Sequence, residues 1–392
     1  MRIAYITIQF PAPSETFAGN DVRMLKKLGE DISVFAQRPP HSSYRRMVED
    51  RGIADIPIVS CGLRENLVGI FLGFMQPVLL FQLVRWLFSC DFDKPKHFLK
   101  CLALMPASFF VMYRLKQLRP DIVHLFWGHY PSLVGYLAQR VLPGAKLSMF
   151  LGAYDLEMEL GISASLAKEA AFIFTHAEAN LPQLSRMGVA ADRVRVVYRG
   201  VDIDFLKARI PANHLKERAR VLTAGRLTSA KRTDRVLSLM TQLPSSRLYV
   251  AGDGPELEDL KCLVELQGIK ERTHFLGFLS QKDLFLEMAK SQFFIMLSDK
   301  EGERLPNVVK EAMFAGCVCI VSNTPGIEEL IENGKTGFIV PGAEPYAIVE
   351  IINGLSESEL CRIGQAARNS ICEKFDLRVS MQRYLDSWRA NV

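Results

Sequence analysis

The sequence holds little that points to metal, redox or nucleic-acid chemistry. Its eight cysteines are scattered with no Cys-x-x-Cys pair, and its histidines form no cluster at ligand spacing. No metal or other cofactor is therefore expected, and a reducing cytoplasm is. A net charge of +5 is too mild for a nucleic-acid partner. No secretory leader is expected, since Met1-Arg-Ile-Ala-Tyr-Ile-Thr-Ile reads as a strand from residue 2. The turn Gly252-Asp-Gly254-Pro-Glu follows an apolar run, but no third glycine completes a dinucleotide fingerprint. A nicotinamide oxidoreductase is poorly supported on that ground.

What is present suits a globular α/β protein. At 392 residues the chain is long enough for two or three domains, each with its own core. With 49% apolar and 23% charged residues it is not disordered. Its charge is lopsided: residues 1–200 carry 23 basic against 17 acidic side chains, and the remainder 25 against 26. A basic N-terminal half fits an anionic membrane surface or a phosphate-bearing acceptor. Apolar runs predict strands at 2–8, 32–36, 121–127, 146–151, 171–174 and 193–198, then at 221–224, 247–251, 293–297 and 317–321. Helices are predicted between them at 17–28 and 131–142, giving βαβ units and a parallel sheet in each half.

Asn66 to Val84 is nineteen uncharged residues, interrupted by Gln76-Pro77 and loosened by Gly69 and Gly73. A second apolar run, Cys101–Tyr113, is flanked by Lys94, Lys96, Lys100, Arg114 and Lys116. These predict two helices of the first domain. Three placements are open for the first run: the membrane interface, the core, or a true span. A span is discounted because it would interrupt the domain.

The densest stretch is Glu301 to Glu329. A polar loop follows the 293–297 strand, and Pro306 is expected to open a helix that stops at Gly316. A helix N-terminus at the strand ends of a parallel sheet favours a bound anion such as phosphate. Glu303 and Glu311 lie about 10 Å apart at 1.5 Å per helical residue. That is too far for one acid/base pair, but suits two acceptors gripping hydroxyls at either end of a long ligand. Taken alone, two glutamates eight apart are as well explained by a loop and a solvated helix face.

The run Glu303-x-Leu-Pro-Asn-Val-x-x-Glu311-Ala-Met-x-x-Gly316, with Gly326-Ile-x-Glu-Leu-Ile and Gly334-x-Thr-Gly337 after it, resembles the donor site of family 4 retaining glycosyltransferases. Gly225-Arg226-Leu-Thr-x-x-Lys231 resembles the family's Gly-Arg-Leu-x-x-x-Lys motif, with Arg232 where glycine is usual. Pro13-Ser14-Glu15-Thr16-Phe17 resembles its N-terminal cleft loop, where Ser14 either faces the cleft or caps the next helix. Gly19 falls near the family glycine that lets backbone approach the ligand, although the double glycine often seen there is absent.

The resemblance implies the GT-B fold, two Rossmann-like domains facing each other across a cleft. The boundaries expected are 1–200 with an apolar helical insert at 63–118, a hinge at 201–219, 220–374, and a helix at 375–392 crossing back. It also implies transfer from a nucleotide-diphosphate sugar to a glycan or lipid-linked acceptor. Arg226 and Lys231 would hold the departing diphosphate with the backbone of Leu305, Pro306, Asn307 and Val308. Glu303 would bind hexose hydroxyls and Glu311 ribose hydroxyls, while Gly225 and Gly277 would line the nucleotide site. Family members carry a histidine shortly before Asp155, whereas here Leu151 or Gly152 occupies that place. His129 is the candidate substitute, and Asp155 either contacts an acceptor hydroxyl or caps a helix. The missing histidine leaves a non-catalytic relative as the rival reading. His124 and His274 are read as structural.

Overall fold

The computed structural model describes residues 1–13, 15–91, 93–208, 216–300 and 302–390, so Ser14, Glu301 and residues 209–215 of the expected hinge lie outside it. The chain divides into two units, Met1–Tyr198 with Leu377–Val392, and Arg199–Asp376.

Unit 1 holds a parallel sheet of β1 (Arg2–Thr7), β2 (Asp31–Ala36), β3 (Ile58–Ser60), β4 (Ile122–Phe126), β5 (Lys146–Phe150), β6 (Phe172–Thr175) and β7 (Val194–Val196). Their order is β3-β2-β1-β4-β5-β6-β7. Unit 2 holds β8 (Glu217–Ala224), β9 (Arg247–Ala251), β10 (Thr273–Gly277), β11 (Ser291–Met296), β12 (Val318–Ser322) and β13 (Phe338–Val340) in the order β10-β9-β8-β11-β12-β13. Central strands such as β4 and β11 are buried along their whole length, which is why they read as unbroken apolar runs instead of alternating. Both orders reverse beside the unit's first strand, between β1 and β4 and between β8 and β11. In open α/β sheets that switch point, at the C-terminal strand ends, is where ligands bind.

The terminal helix Leu377–Arg389 belongs to unit 1. Its Trp388 Nε1 donates to Ser148 Oγ at 3.0 Å, and the same hydroxyl bonds His124 Nδ1 at 2.9 Å. His124 is thus a satisfied core residue. Tyr384 stacks on Phe174 with ring centroids 4.0 Å apart.

One expectation is corrected. The 66–84 run is not one helix: the Leu63–Phe74 helix stops, and a second, Pro77–Asp91, leaves at 103°. Pro77 lacks an N–H and crowds the residue before it, which breaks the helix. The second apolar run lies inside a longer helix, Pro95–Leu118, the one single helix among the described residues that is long and apolar enough to cross a membrane. More than half of that apolar window is buried within the fold, as in a core helix. The short edge strands β3 and β13, three residues each, carry too few residues to show a period.

Candidate functional site

In unit 2 the three glycine-bearing turns meet side by side. Gly225 follows β8, Gly252 follows β9, and Gly277 closes β10. Gly252 N donates to Gly277 O at 2.8 Å. A Cβ on Gly252 would sit 1.9 Å from Gly225 O, and one on Gly254 would sit 2.2 Å from Leu227 O. The Gly252-Asp-Gly254 turn is therefore a backbone-on-backbone brace beneath the Gly225-Arg226-Leu227 turn, with Leu227 N bonded to Asp253 O at 2.9 Å.

That brace presents Arg226 outward. Arg226 is exposed, and its side chain makes no ion pair among the described residues. Lys231, at the end of the short Ser229–Lys231 turn, reaches across to the loop after β11 and pairs with Glu303 Oε1. The loop is tied to the same turn by Asp299 N to Ala230 O at 2.9 Å and Ser298 Oγ to Ala230 O at 3.1 Å. Glu303 Oε2 is buried with no partner among the described residues. One oxygen of a nearly buried carboxylate is thus held by a cation, and the other is an acceptor awaiting a donor.

Arg232 explains its own departure from glycine. It sits at φ 50°, ψ 42°, the left-handed region where glycine costs nothing and other residues about 1 kcal/mol or more. Two ion pairs offset this, to Asp234 at 2.9 Å and Asp299 at 2.6 Å, and Arg235 joins Asp299 at 2.7 Å. Burial lifts the Asp299 carboxyl, but its bonds to the two guanidinium groups outweigh that and hold it below its ordinary range.

Pro306 is not the first helical residue. It is the N-cap of the Asn307–Phe314 helix, preceded by Leu305 at φ 47°. Proline has no N–H, so the donors this end offers come from Leu305, Asn307 and Val308. Lys310, fully buried, donates to Arg199 O at 2.8 Å and Asn307 Oδ1 at 3.2 Å, holding the first turn against the start of unit 2. Glu311 is also buried, with Gln281 Nε2 donating to its Oε1 at 2.8 Å. Burial pushes its carboxyl up to about 7, against the pull of Gln281 and of the Lys310 charge. Neither Lys310 nor Gln281 was legible as a site residue. Ser280-Gln-Lys-Asp283 signals only a helix start, which the Ser280 cap of the Gln281–Lys290 helix makes good. His274 stacks on Tyr249 at 4.8 Å on the sheet's edge strand.

Unit 1 gathers its own residues at the switch point after β1 and β4. Asp155 Oδ1 accepts from Gly128 N at 2.9 Å, His129 N at 3.0 Å and His129 Nδ1 at 2.8 Å, while Oδ2 accepts from Gly152 N at 3.0 Å. Asp155 and His129 are 1% and 3% exposed. Of the two roles open to Asp155, the geometry is that of a cap: it closes the Ala153–Met158 helix and pins the turn after β4. Gly19 lies inside the Thr16–Lys27 helix under Arg51, whose Cδ would be 3.1 Å from a Cβ there. Arg51 in turn clamps the loop before that helix, donating to Ala12 O at 2.8 Å and to Glu15 O at 3.4 Å. Burial draws its guanidinium down to about 10.

Comparison with known proteins agrees with this layout. Residues 204–370, most of unit 2, match the family described as glycosyl transferases group 1. The amylovoran biosynthesis glycosyltransferase AmsK of Erwinia amylovora is 24% identical, covering 98% of each chain. The GDP-mannose:cellobiosyl-diphosphopolyprenol alpha-mannosyltransferase of Xanthomonas campestris is 27% identical over 69% of this chain and 74% of its own. Among solved structures, Anabaena HepE in complex with UDP superposes over 100% of both chains with a TM-score of 0.74 at 17% identity. Two parallel α/β units with these strand orders, like those of the solved structures, give the chain the GT-B fold, and the group 1 match on residues 204–370 with full-length similarity to AmsK makes it similar to family 4 glycosyltransferases.

Proposed function

We propose that the protein transfers a sugar, with retention of configuration, from a UDP- or GDP-linked donor to a glycan acceptor. The half-satisfied Glu303 carboxylate carries this reading, because it stands beside Lys231 and follows the strand next to the one that delivers Arg226. In the proposal, the donor's diphosphate takes Lys231 and Arg226 as counter-charges, supported by the N–H groups of Leu305, Asn307 and Val308. Glu303, released from Lys231 by the arriving phosphate, accepts hydroxyls of the hexose. Glu311 accepts the ribose hydroxyls in place of Gln281. The C1–O bond to the diphosphate breaks as the acceptor oxygen bonds C1 on the same face, and a leaving phosphate oxygen takes the acceptor's proton. Charge neutralisation falls to side chains in this scheme, without calling on a metal.

The acceptor is proposed to be lipid-linked, in surface polysaccharide or glycolipid biosynthesis at the cytoplasmic side. The supporting observations are the names of AmsK and of the diphosphopolyprenol mannosyltransferase. HepE, solved with UDP and with UDP-glucose, supports the nucleotide class. Thermal unfolding with UDP, GDP and their sugar conjugates, on wild type and Arg226→Ala, tests the donor site. A nucleotide at a hundred times its dissociation constant adds about 2.7 kcal/mol. One nucleotide should stabilise wild type and not the variant. Glu303→Ala should lose transfer sharply; a variant that keeps full transfer would sink the role given to Glu303, and one that keeps the protein's biological role without any transfer would favour the non-catalytic reading.

A further inference from the structure

The Leu63–Phe74 and Pro77–Asp91 helices are apolar over most of their circumference, interrupted by the Arg64-Glu-Asn66 turn and by Gln82 and Arg85, yet each is covered on only one side. On the first, Gly69 packs so tightly on the Pro95–Leu118 helix that a Cβ would lie 1.9 Å from the Pro106 carbonyl oxygen, and Gly73 meets Phe109. Leu63, Leu67, Phe71 and Phe74 fall on the opposite face, spaced four, four and three apart. That is the stripe by which a helix usually turns to a core, but here these residues are 59–80% exposed. On the second helix Leu83 and Leu87 are buried, while Val78 and Phe81 are about as exposed as Phe74. A helix this largely apolar belongs in a core or in hydrocarbon, and single-sided exposure on this scale marks an interaction surface.

The charges around it have one sign. Arg64, Arg85, Lys96 and Lys100 are exposed. The acidic residues of the same segment are largely withdrawn. Glu65 bends back to accept from Gly62 N at 2.9 Å, and Asp91 is fully buried, capping Gly161 N at 2.6 Å and Ile162 N at 2.9 Å. Only Asp93 remains outward. Helices of 12 and 15 residues are too short to span a bilayer, which takes about 20, and the 103° bend prevents their joining into one span.

We infer that this face is a docking surface for an anionic lipid bilayer. The bent pair lies in the interface, with Phe71, Phe74 and Phe81 among the acyl chains and the basic side chains on headgroup phosphates. This goes beyond the transferase reading and does not depend on it.

The test is sedimentation of the whole chain with sucrose-loaded vesicles, of phosphatidylcholine alone and of phosphatidylcholine mixed with phosphatidylglycerol. No donor or acceptor is present, so a failure here leaves the donor-site proposal standing. Binding to the anionic vesicles is expected to exceed binding to the neutral ones by about tenfold or more, since each basic residue near the surface contributes about 1 kcal/mol. Phe71→Ser/Phe74→Ser/Phe81→Ser should lower it by about a thousandfold, at about tenfold per phenylalanine withdrawn from hydrocarbon. Phe278→Ser, 71% exposed on unit 2, should leave it unchanged. Should the triple variant not fold, Arg64→Glu/Arg85→Glu should abolish the preference for anionic vesicles. The inference is overturned by no sedimentation with either vesicle, or by equal losses in the triple and Phe278 variants. A lipid-free dimer that the triple variant disperses also overturns it, by assigning the face to a second copy.

Discussion

Asparagine in place of Asp155 is close to isosteric, yet it should destabilise unit 1 markedly. Asp155 receives four donated hydrogen bonds in a site that is 1% exposed, three on Oδ1 and one on Oδ2. The amide has one oxygen and one NH2. If the NH2 takes the Oδ2 position it confronts the Gly152 N–H. If it takes the Oδ1 position it confronts those of Gly128 and His129. At least one buried N–H then loses its acceptor, at about 1–3 kcal/mol. Asp155→Ala strips all four donors and should cost roughly 4 kcal/mol or more. In a domain of this size each kcal/mol lowers the melting temperature by about 2–4 °C, so the asparagine variant should melt roughly 2–12 °C early. The assay is convenient because all three tryptophans, Trp86, Trp127 and Trp388, lie in unit 1. Their fluorescence during urea unfolding reports that unit alone. An asparagine variant that unfolds with the wild-type midpoint but has lost transfer would refute the cap and return Asp155 to the acceptor.

Arg226→Ala should leave unit 2 stability within about 0.5 kcal/mol, since the side chain is exposed and unpaired among the described residues; urea unfolding by circular dichroism, beside the nucleotide shift, separates this from a folding defect. Gly252→Ala should cost about 2 kcal/mol or more and also weaken nucleotide binding, because its Cβ collides with Gly225 O and the Arg226 turn must move; an unshifted urea midpoint counts against the brace. For Glu311 the folded carboxyl titrates near 7, above its ordinary 4.5, so the folded state binds the extra proton between these values. Stability from this group is therefore fully present below about 4.5 and is lost as pH rises through about 7, a span worth roughly 3 kcal/mol. Glu311→Gln should flatten that part of the unit 2 profile, and an unchanged slope would place the buried proton elsewhere.

How much of this was legible in the sequence depends on whether the cause was local. β4, β9 and β11 showed in their apolar runs, and the Asn307–Phe314 helix showed in Pro306 and Gly316, because strand burial and helix caps are properties of a few consecutive residues. The break at Gln76-Pro77 was just as local and visible, but the length of the apolar run around it masked its consequence. The clamp of Arg51 on residues 12–15 and the seat of Lys310 under Arg199 O span dozens of residues, and nothing near either side chain announces them. Arg232 is the mixed case. Its place in the motif marked an oddity, while the left-handed backbone that makes glycine usual there, and the aspartates that compensate, appear only in the fold.

The Lys231–Glu303 pair shows why the limit falls there. The two residues are 72 apart, and each belongs to a motif that can be read without the other. What joins them is strand order: β8 and β11 are neighbours only because the sheet reverses direction beside its first strand, so the turn after one faces the loop after the other. A motif tells which side chains leave a strand end, and the topology decides which ends meet. Because the meeting is enforced by β8 pairing with the buried β11, Val221 against Phe293 and Leu222 against Phe294, the approach of the two loops is expected to survive loss of either charge. Lys231→Met and Glu303→Gln should therefore each unfold with a midpoint within about 1 kcal/mol of wild type, as for a partly exposed ion pair, while each loses transfer. A large fall in stability from either change would mean that the pair holds the loop in place, and that its charges serve the fold before the donor.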